Sequence, residues 1–189
     1  MQDTRNYKVI SLHLETILKQ SLYITLGSLV MLFGLKWLFH SLPTFSFSLR
    51  SLLLSVLIIS IGYILLIVLH EFFHLLGFHL FGKVPWKSMK VGADFKQGIA
   101  YATTTTHMPN HAVKKALLLP FWMTGIFPAI IGIVLGHNSL LIISALLIGG
   151  AAGDFSMYHQ LKKYPNHWMI QDDPTLPKMY IYNPDEKAQ

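Results

Sequence analysis

The stretch from Ser51 to Phe81 reads SLLLSVLIISIGYILLIVLHEFFHLLGFHLF and decides the fold. Its first nineteen residues, 51–69, carry no charge, and apolar residues continue beyond the glutamate and histidines that follow. A helix needs about 20 predominantly apolar residues to cross a bilayer, because each residue advances the helix axis by about 1.5 Å. The stretch therefore predicts a transmembrane helix.

Three further stretches are long and apolar enough to cross a membrane. They cover residues 21–40, 116–136 and 139–161. The first contains Lys36, which lies near its end, where the ammonium group can reach the interface. Across the chain 52% of residues are hydrophobic and 13% are charged, whereas soluble domains carry about 25% charged residues. We therefore predict an all-α integral membrane protein with about four transmembrane helices.

The basic residues predict how these helices are oriented. Of the 15 lysines and arginines, 13 lie before the first stretch, between the second and third, or after the fourth. Because positive charge is retained in cytoplasmic loops, we expect a multi-pass protein of the cell membrane with both termini and the 82–115 connection in the cytoplasm. This orientation explains the net charge of +6, so we expect no nucleic-acid partner. The polar residues before the first stretch favour a retained signal anchor over a cleaved signal peptide.

The long connection between the second and third helices predicts a small cytoplasmic β-hairpin. Residues 91–95 and 99–106 have strand-like composition and flank Lys96-Gln97-Gly98, a turn-forming sequence. After residue 164 four prolines predict an extended tail rather than a helix, in which residues 179–182 can add a short strand. The chain has no cysteine, which excludes disulfides and cysteine-ligated zinc.

The second stretch contains the motif His70-Glu71-Phe72-Phe73-His74. Residues four apart share one face of a helix, so the two imidazoles can bind one Zn²⁺ while the Glu71 carboxylate acts as a general base. The alternative is that both histidines lie at a membrane interface and that Glu71 is solvated. The apolar residues on both sides argue against this, because ionisable groups within a membrane are unfavourable and are retained mostly for function.

Catalytic zinc usually has three protein ligands, and Asp154 is the best candidate for the third. Of the nine acidic residues, only Glu71 and Asp154 fall inside the apolar stretches, at comparable depths. The small residues from Gly149 to Gly153 would let the fourth helix pack closely against the second. The alternative is that Asp154 is a helix-end residue exposed to the cytoplasm.

The other histidines are weaker candidates for metal ligands. His79 follows His70 by nine residues, on the opposite face of a continuing helix, and we exclude it. His159 is the alternative to Asp154. Three histidines in polar segments are expected at the surface, namely His107, His111 and His167. The sequence Asp172-Asp173-Pro174 is expected to form a turn.

Together these features resemble the membrane-embedded site-2 protease group, which combines HExxH on one transmembrane helix with an aspartate ligand on a later one. More closely, the chain is similar to small bacterial proteins described as putative zincin peptidases, long grouped as a domain of unknown function. The matching positions are His70 to His74, Gly98 to Ala102, Met108-Pro109, Pro120, Gly150 to Asp154 and Asp173-Pro174. The resemblance implies that His70, His74 and Asp154 are zinc ligands and that Glu71 is the catalytic base. One departure is Phe155, which follows the aspartate where site-2 proteases have glycine, and the oxyanion-stabilising group stays unassigned.

These observations predict a membrane-embedded zinc metalloprotease that cleaves membrane or membrane-proximal proteins, with Zn²⁺ as its cofactor and the lipid bilayer around it. We expect a cytoplasmic N-terminal segment (1–20), a membrane-embedded metalloprotease-like domain (21–163) and a cytoplasmic extended tail (164–189). The hairpin is a candidate for holding an unwound substrate by strand addition. The alternative function is a non-catalytic membrane scaffold or metal-binding membrane protein.

Overall fold

The computed structural model describes residues 7–40, 48–94, 99–173 and 178–185. It is mostly helical, and four of its helices are long and apolar enough to cross a membrane. They are Leu14–Phe39, Leu49–Gly82, Asn110–Leu135 and Asn138–Leu161. The prediction of four such helices is confirmed. The first begins at Leu14, before the predicted start at residue 21, because no proline or glycine in the preceding polar residues ends the helix.

Two of these helices are uninterrupted and two are divided. The first two are α1 (Leu14–Phe39) and α2 (Leu49–Gly82). The third consists of α3 (Asn110–Pro120), a π-helical segment (Phe121–Ile126) and α4 (Phe127–Leu135). The fourth is divided at Ala151 into α5 (Asn138–Gly150) and α6 (Ala152–Leu161). Pro120 accounts for the irregular third helix, because proline has no N–H to donate and its ring disturbs the preceding turn.

The predicted hairpin between the second and third helices is confirmed. Strands β2 (Met89–Asp94) and β3 (Ile99–Thr104) pair antiparallel, with Val91 opposite Ala102. The predicted turn, Lys96-Gln97-Gly98, lies outside the described residues.

A four-stranded sheet corrects the prediction of an all-α fold. Its strands are β1 (Tyr7–Ser11), β4 (Met108–Pro109), β5 (Met169–Asp172) and β6 (Lys178–Tyr182). All neighbours are antiparallel, in the order β1-β6-β5-β4. Within the described part of the tail, β5 and β6 are extended, and β6 contains the predicted strand at 179–182. Of the predicted Asp172-Asp173-Pro174 turn, Pro174 lies outside the described residues, and the Asp173 N–H donates to the Lys178 carbonyl at 3.1 Å.

The chain divides into two compact units. One comprises Met1–Ile17, Glu71–Leu119 and Gly153–Gln189, and it contains both sheets. Its core includes Ile10, Phe78, Val113, Met157 and Ile170. The other comprises Leu18–His70 and Pro120–Ala152. Its smaller core consists of Leu32, Ala129, Leu141, Ala145 and Ile148.

In the second unit, large apolar side chains are exposed along the helices. Ile61, Ile64, Leu65 and Val68 of α2 are between 58% and 63% exposed. Such a continuous apolar surface is unfavourable in water and suits contact with lipid or protein.

The glycine-rich run of the fourth helix packs against α1. A β-carbon on Gly149 would collide with the side chain of Thr25 and lie 2.8 Å from the carbonyl oxygen of Ser21. Contact of α5 with α2 occurs instead at Gly62, where a β-carbon would lie 2.7 Å from Ile143 Cδ1. The glycine run therefore does allow close packing, but Gly149 makes it with the first helix rather than the second.

Lys36 has a polar partner within the protein. Its side chain is buried, and Nζ donates a hydrogen bond to Oδ1 of Asn138 at the start of α5. A polar partner within the same unit makes extension toward solvent unnecessary.

Candidate metal centre

The HExxH motif lies in the second half of α2 and is buried. His70 and Glu71 are each 8% exposed, and His74 is 7% exposed. Because α2 is unbroken through this region, the two histidines lie about one turn apart on one face.

Asp154 comes from the fourth helix and meets His74. It lies in the first turn of α6, and its Oδ1 is 3.3 Å from Nε2 of His74. The break at Ala151 starts a new helix just before Asp154, and a carboxylate in a first turn is favoured by the helix dipole. The Asp154 side chain is only 17% exposed, so it is not the solvent-exposed helix-end residue of the alternative interpretation.

His70, His74 and Asp154 form a group that can hold a metal ion. One ligand atom from each of the three lies within 4.8 Å of the other two. Two ligands of a tetrahedral zinc ion, each about 2.1 Å from the metal, are about 3.4 Å apart, which matches the separation of His74 and Asp154. Two imidazoles and one carboxylate are also a common ligand set of catalytic zinc and leave one position open. The donor set therefore fits zinc.

Both histidines also make hydrogen bonds to the third helix through Nδ1. His70 Nδ1 lies 3.2 Å from the hydroxyl oxygen of Thr124, in the π-helical segment. His74 Nδ1 lies 3.3 Å from the carbonyl oxygen of Ala116 in α3. A β-carbon on Gly77 would lie only 2.7 Å from Ala116 Cα, so the glycine allows the close approach of α2 and α3 at this level.

The remaining histidines lie outside this group. His79 Nδ1 is 2.9 Å from the carbonyl oxygen of Val84. His159 is exposed, as are His111 and His167, which contact Asn166 and Asp185. His107 is not a surface residue as predicted, because it is half-buried and its ring packs 5.0 Å from that of Tyr182.

Asp172 is a further acidic residue whose environment is unusual. It lies at the end of β5, half-buried, near the side chain of Thr103 in β3. Burial raises the pKa of its carboxyl group from 3.8 to about 7. Its carboxyl group therefore titrates near neutral pH.

Thr124, Ala116 and Gly77 contribute to the site but were not singled out as site residues from the sequence. Ala116 takes part through its backbone carbonyl, which any residue type would supply. Thr124 had a detectable signal, because it is the one hydroxyl residue between 116 and 135. Gly77 follows the motif by three residues, on the face that carries His74.

Comparison with known families identifies a related group of proteins. The sequence profile of the family described as "Putative zincin peptidase" matches residues 63–169, more than half of the chain. The match includes the HExxH motif, Thr124 and Asp154, and membership implies zinc and suggests a metallopeptidase. No curated protein and no solved structure matches the chain. The chain thus belongs to the "Putative zincin peptidase" family.

Proposed function

We propose that this chain is a membrane-embedded zinc metalloprotease that hydrolyses peptide bonds of membrane or membrane-proximal proteins. The observation that carries the proposal is the 3.3 Å approach of Asp154 Oδ1 to His74 Nε2, beside a buried glutamate. Membership of a zincin peptidase family supports it.

His70, His74 and Asp154 would hold the zinc ion, and Glu71 is the proposed catalytic residue. Bound zinc supplies Lewis acidity, which polarises the scissile carbonyl group. The Glu71 carboxylate takes a proton from the attacking water and delivers it to the nitrogen of the leaving amine. Glu71 directly follows His70, the first proposed ligand, and its burial limits competing contact with bulk water.

The proposed setting is the cell membrane, with both termini in the cytoplasm. Four helices of sufficient length and apolar character support a multi-pass protein. Exposed apolar side chains on α2 support contact with lipid acyl chains. The distribution of 13 of 15 basic residues supports the orientation.

The proposed substrate is a membrane protein or peptide whose cleaved segment is extended. A helical substrate must unwind first, because its carbonyl groups are held in hydrogen bonds. In the hairpin, β3 is tied to the tail by a hydrogen bond of 3.4 Å from Thr103 Oγ1 to the Asp173 carbonyl. The other edge of β2 has no strand partner among the described residues, which makes it the edge for strand addition.

The test compares wild type with Glu71→Gln, a variant that keeps the shape of the side chain but cannot act as a base. Both are purified for zinc analysis, and both are produced in cells for comparison of cleaved peptides in the membrane proteome. We expect about one zinc per chain in both proteins and cleavage products with wild type only.

Other results would point elsewhere. Equal zinc content with identical proteomes would favour a non-catalytic metal-binding membrane protein. Absence of zinc from wild type purified with zinc in the buffers would contradict the metal site itself.

A further inference from the structure

We propose that Thr124 is a positioning residue of the metal centre and that it acts together with the backbone carbonyl of Ala116. The two groups fix the hydrogen positions on the ligand histidines, so that both rings offer Nε2 to the metal. This inference rests on the zinc site of the proposed function and assigns a role to the third helix, which supplies no ligand.

The single proton of the Thr124 hydroxyl group determines which nitrogen of His70 carries hydrogen. Thr124 is 1% exposed, and its Oγ1 donates to the carbonyl oxygen of Pro120 at 2.8 Å. Having given its proton to Pro120, the hydroxyl can only accept from His70 Nδ1, 3.2 Å away. Nδ1 of His70 therefore carries the hydrogen, and the lone pair for a metal lies on Nε2.

The Ala116 carbonyl determines the hydrogen position on His74 in the same way. A carbonyl oxygen can only accept, so the 3.3 Å contact with Ala116 also requires a hydrogen on His74 Nδ1. Nε2 of His74 is then the metal-binding nitrogen, and this is the atom that faces Asp154 at 3.3 Å. Hydrogen bonds of this kind orient metal-binding imidazoles and increase their basicity.

The irregularity at Pro120 makes both contacts available. In an α-helix the Ala116 carbonyl would accept from the N–H four residues later, but residue 120 is proline and has none. The carbonyl is therefore left for His74. The π-helical segment that starts at Phe121 carries Thr124, whose hydroxyl bonds to the Pro120 carbonyl. One local departure from α-helical geometry thus makes a hydrogen-bond acceptor available to each of the two histidines.

Zinc affinity, measured by competition with a chromophoric chelator in detergent, tests the role of Thr124. Thr124→Val keeps the shape but loses the hydroxyl, and we expect it to bind zinc about 10- to 100-fold more weakly. Thr124→Ser restores the hydroxyl and should return affinity close to wild type. The matched control is Ser144→Ala, which removes a buried hydroxyl that has no hydrogen-bond partner in the described part of the chain. Its affinity should equal that of wild type.

Pro120→Ala tests the same contact through a change that should weaken zinc binding without lowering thermal stability. It introduces an N–H that competes for the Ala116 carbonyl, while making the helix more regular. We expect weaker zinc binding together with unchanged or greater thermal stability of the zinc-free protein. Replacing a residue that only supported the fold would lower both zinc affinity and thermal stability.

Long-range ¹H–¹⁵N correlation spectra of wild type give a reading that does not depend on any variant. They should show hydrogen on Nδ1 of both His70 and His74 in the zinc-loaded protein. Hydrogen on Nε2 of either ring would overturn the inference, as would equal zinc affinity of wild type and Thr124→Val. Zinc binding that survives His70→Ala would instead overturn the proposed metal site, so the two failures are distinguishable.

Discussion

Nε2 of His74 and Oδ1 of Asp154 lie 3.3 Å apart, although the two residues come from different helices. Because Nδ1 of His74 bonds to the Ala116 carbonyl, a neutral His74 presents a lone pair to an oxygen that also has only lone pairs. Two acceptors this close attract each other only when a cation, a proton or a metal ion, lies between them. The pair is therefore arranged around a positive charge.

Replacing Asp154 by asparagine should remove most of the bound zinc. The amide keeps the shape of the side chain but loses the anionic ligand, so we expect affinity to fall by more than the roughly 10- to 100-fold of a lost supporting hydrogen bond. Zinc content is measured by elemental analysis of the purified protein. The control is Asp173→Asn, which should bind zinc as wild type does. Equal content in Asp154→Asn and wild type would rule Asp154 out as a ligand.

Gly77→Ala should weaken zinc binding by disturbing the contact between His74 and the Ala116 carbonyl. The new β-carbon would lie 2.7 Å from Ala116 Cα, so α2 and α3 must separate and the carbonyl must move away from His74. Such overpacking typically costs about 1–3 kcal/mol, and we expect lower thermal stability with weaker zinc binding. Gly150→Ala is the matched control, because a β-carbon there has no neighbour within 4 Å. Similar behaviour of both variants would contradict the close approach at Gly77.

Asp172→Asn should be stabilising at alkaline pH. The pKa of Asp172 is raised from 3.8 to about 7, chiefly by burial, so the folded state binds this proton more tightly than the unfolded state. Wild-type stability therefore falls as the pH rises from about 4 to about 7 and is constant above that range. Asparagine keeps an acceptor oxygen and cannot ionise, so the variant should unfold at a higher temperature than wild type at about pH 8. The difference in unfolding temperature between the variant and wild type should shrink toward about pH 4. An equal difference at about pH 4 and about pH 8 would contradict the raised pKa.

Asn138→Ala should destabilise the unit that comprises Leu18–His70 and Pro120–Ala152. It removes the Asn138 partner of the ammonium group of Lys36, a residue that is 8% exposed, and an unsatisfied buried polar group costs about 1–3 kcal/mol or more when charged. Adding Lys36→Met removes the charge and should recover much of the lost stability. Thermal unfolding of both single variants and the double variant measures this coupling, and strictly additive effects would show that the two side chains do not interact.

The helices and the hairpin were predictable because their signals are local. Uninterrupted apolar stretches specify the four long helices, and strand-like runs on both sides of Lys96-Gln97-Gly98 specify the hairpin. Asp154 could be selected because it is the one acidic residue besides Glu71 in an apolar stretch. Scarcity of charge in these helices thus carried the information about the candidate site.

The four-stranded sheet and the supporting contacts were not predictable, because they depend on pairing over long distances. Residues 7–11 pair with 178–182, and neither segment specifies its partner by local alternation. β4 has only the two residues Met108–Pro109, too few for any periodic pattern. The contact between the Ala116 carbonyl and His74 depends on Pro120 in the third helix and on Gly77 in the second. The role of this carbonyl therefore cannot be predicted from either segment alone.

The four-stranded sheet also restricts how often the chain crosses a membrane. β1 precedes the first long helix, β4 lies between the second and third, and β5 and β6 follow the fourth. Strands joined by hydrogen bonds must lie on one side of a bilayer. The chain therefore crosses the bilayer an even number of times between β1 and β4, and again an even number of times between β4 and β5. Two and two satisfy this parity, whereas a topology in which a single long helix fails to cross would break the sheet. A labelling reagent that cannot cross the membrane, added on one side, should therefore react with all four strands or with none.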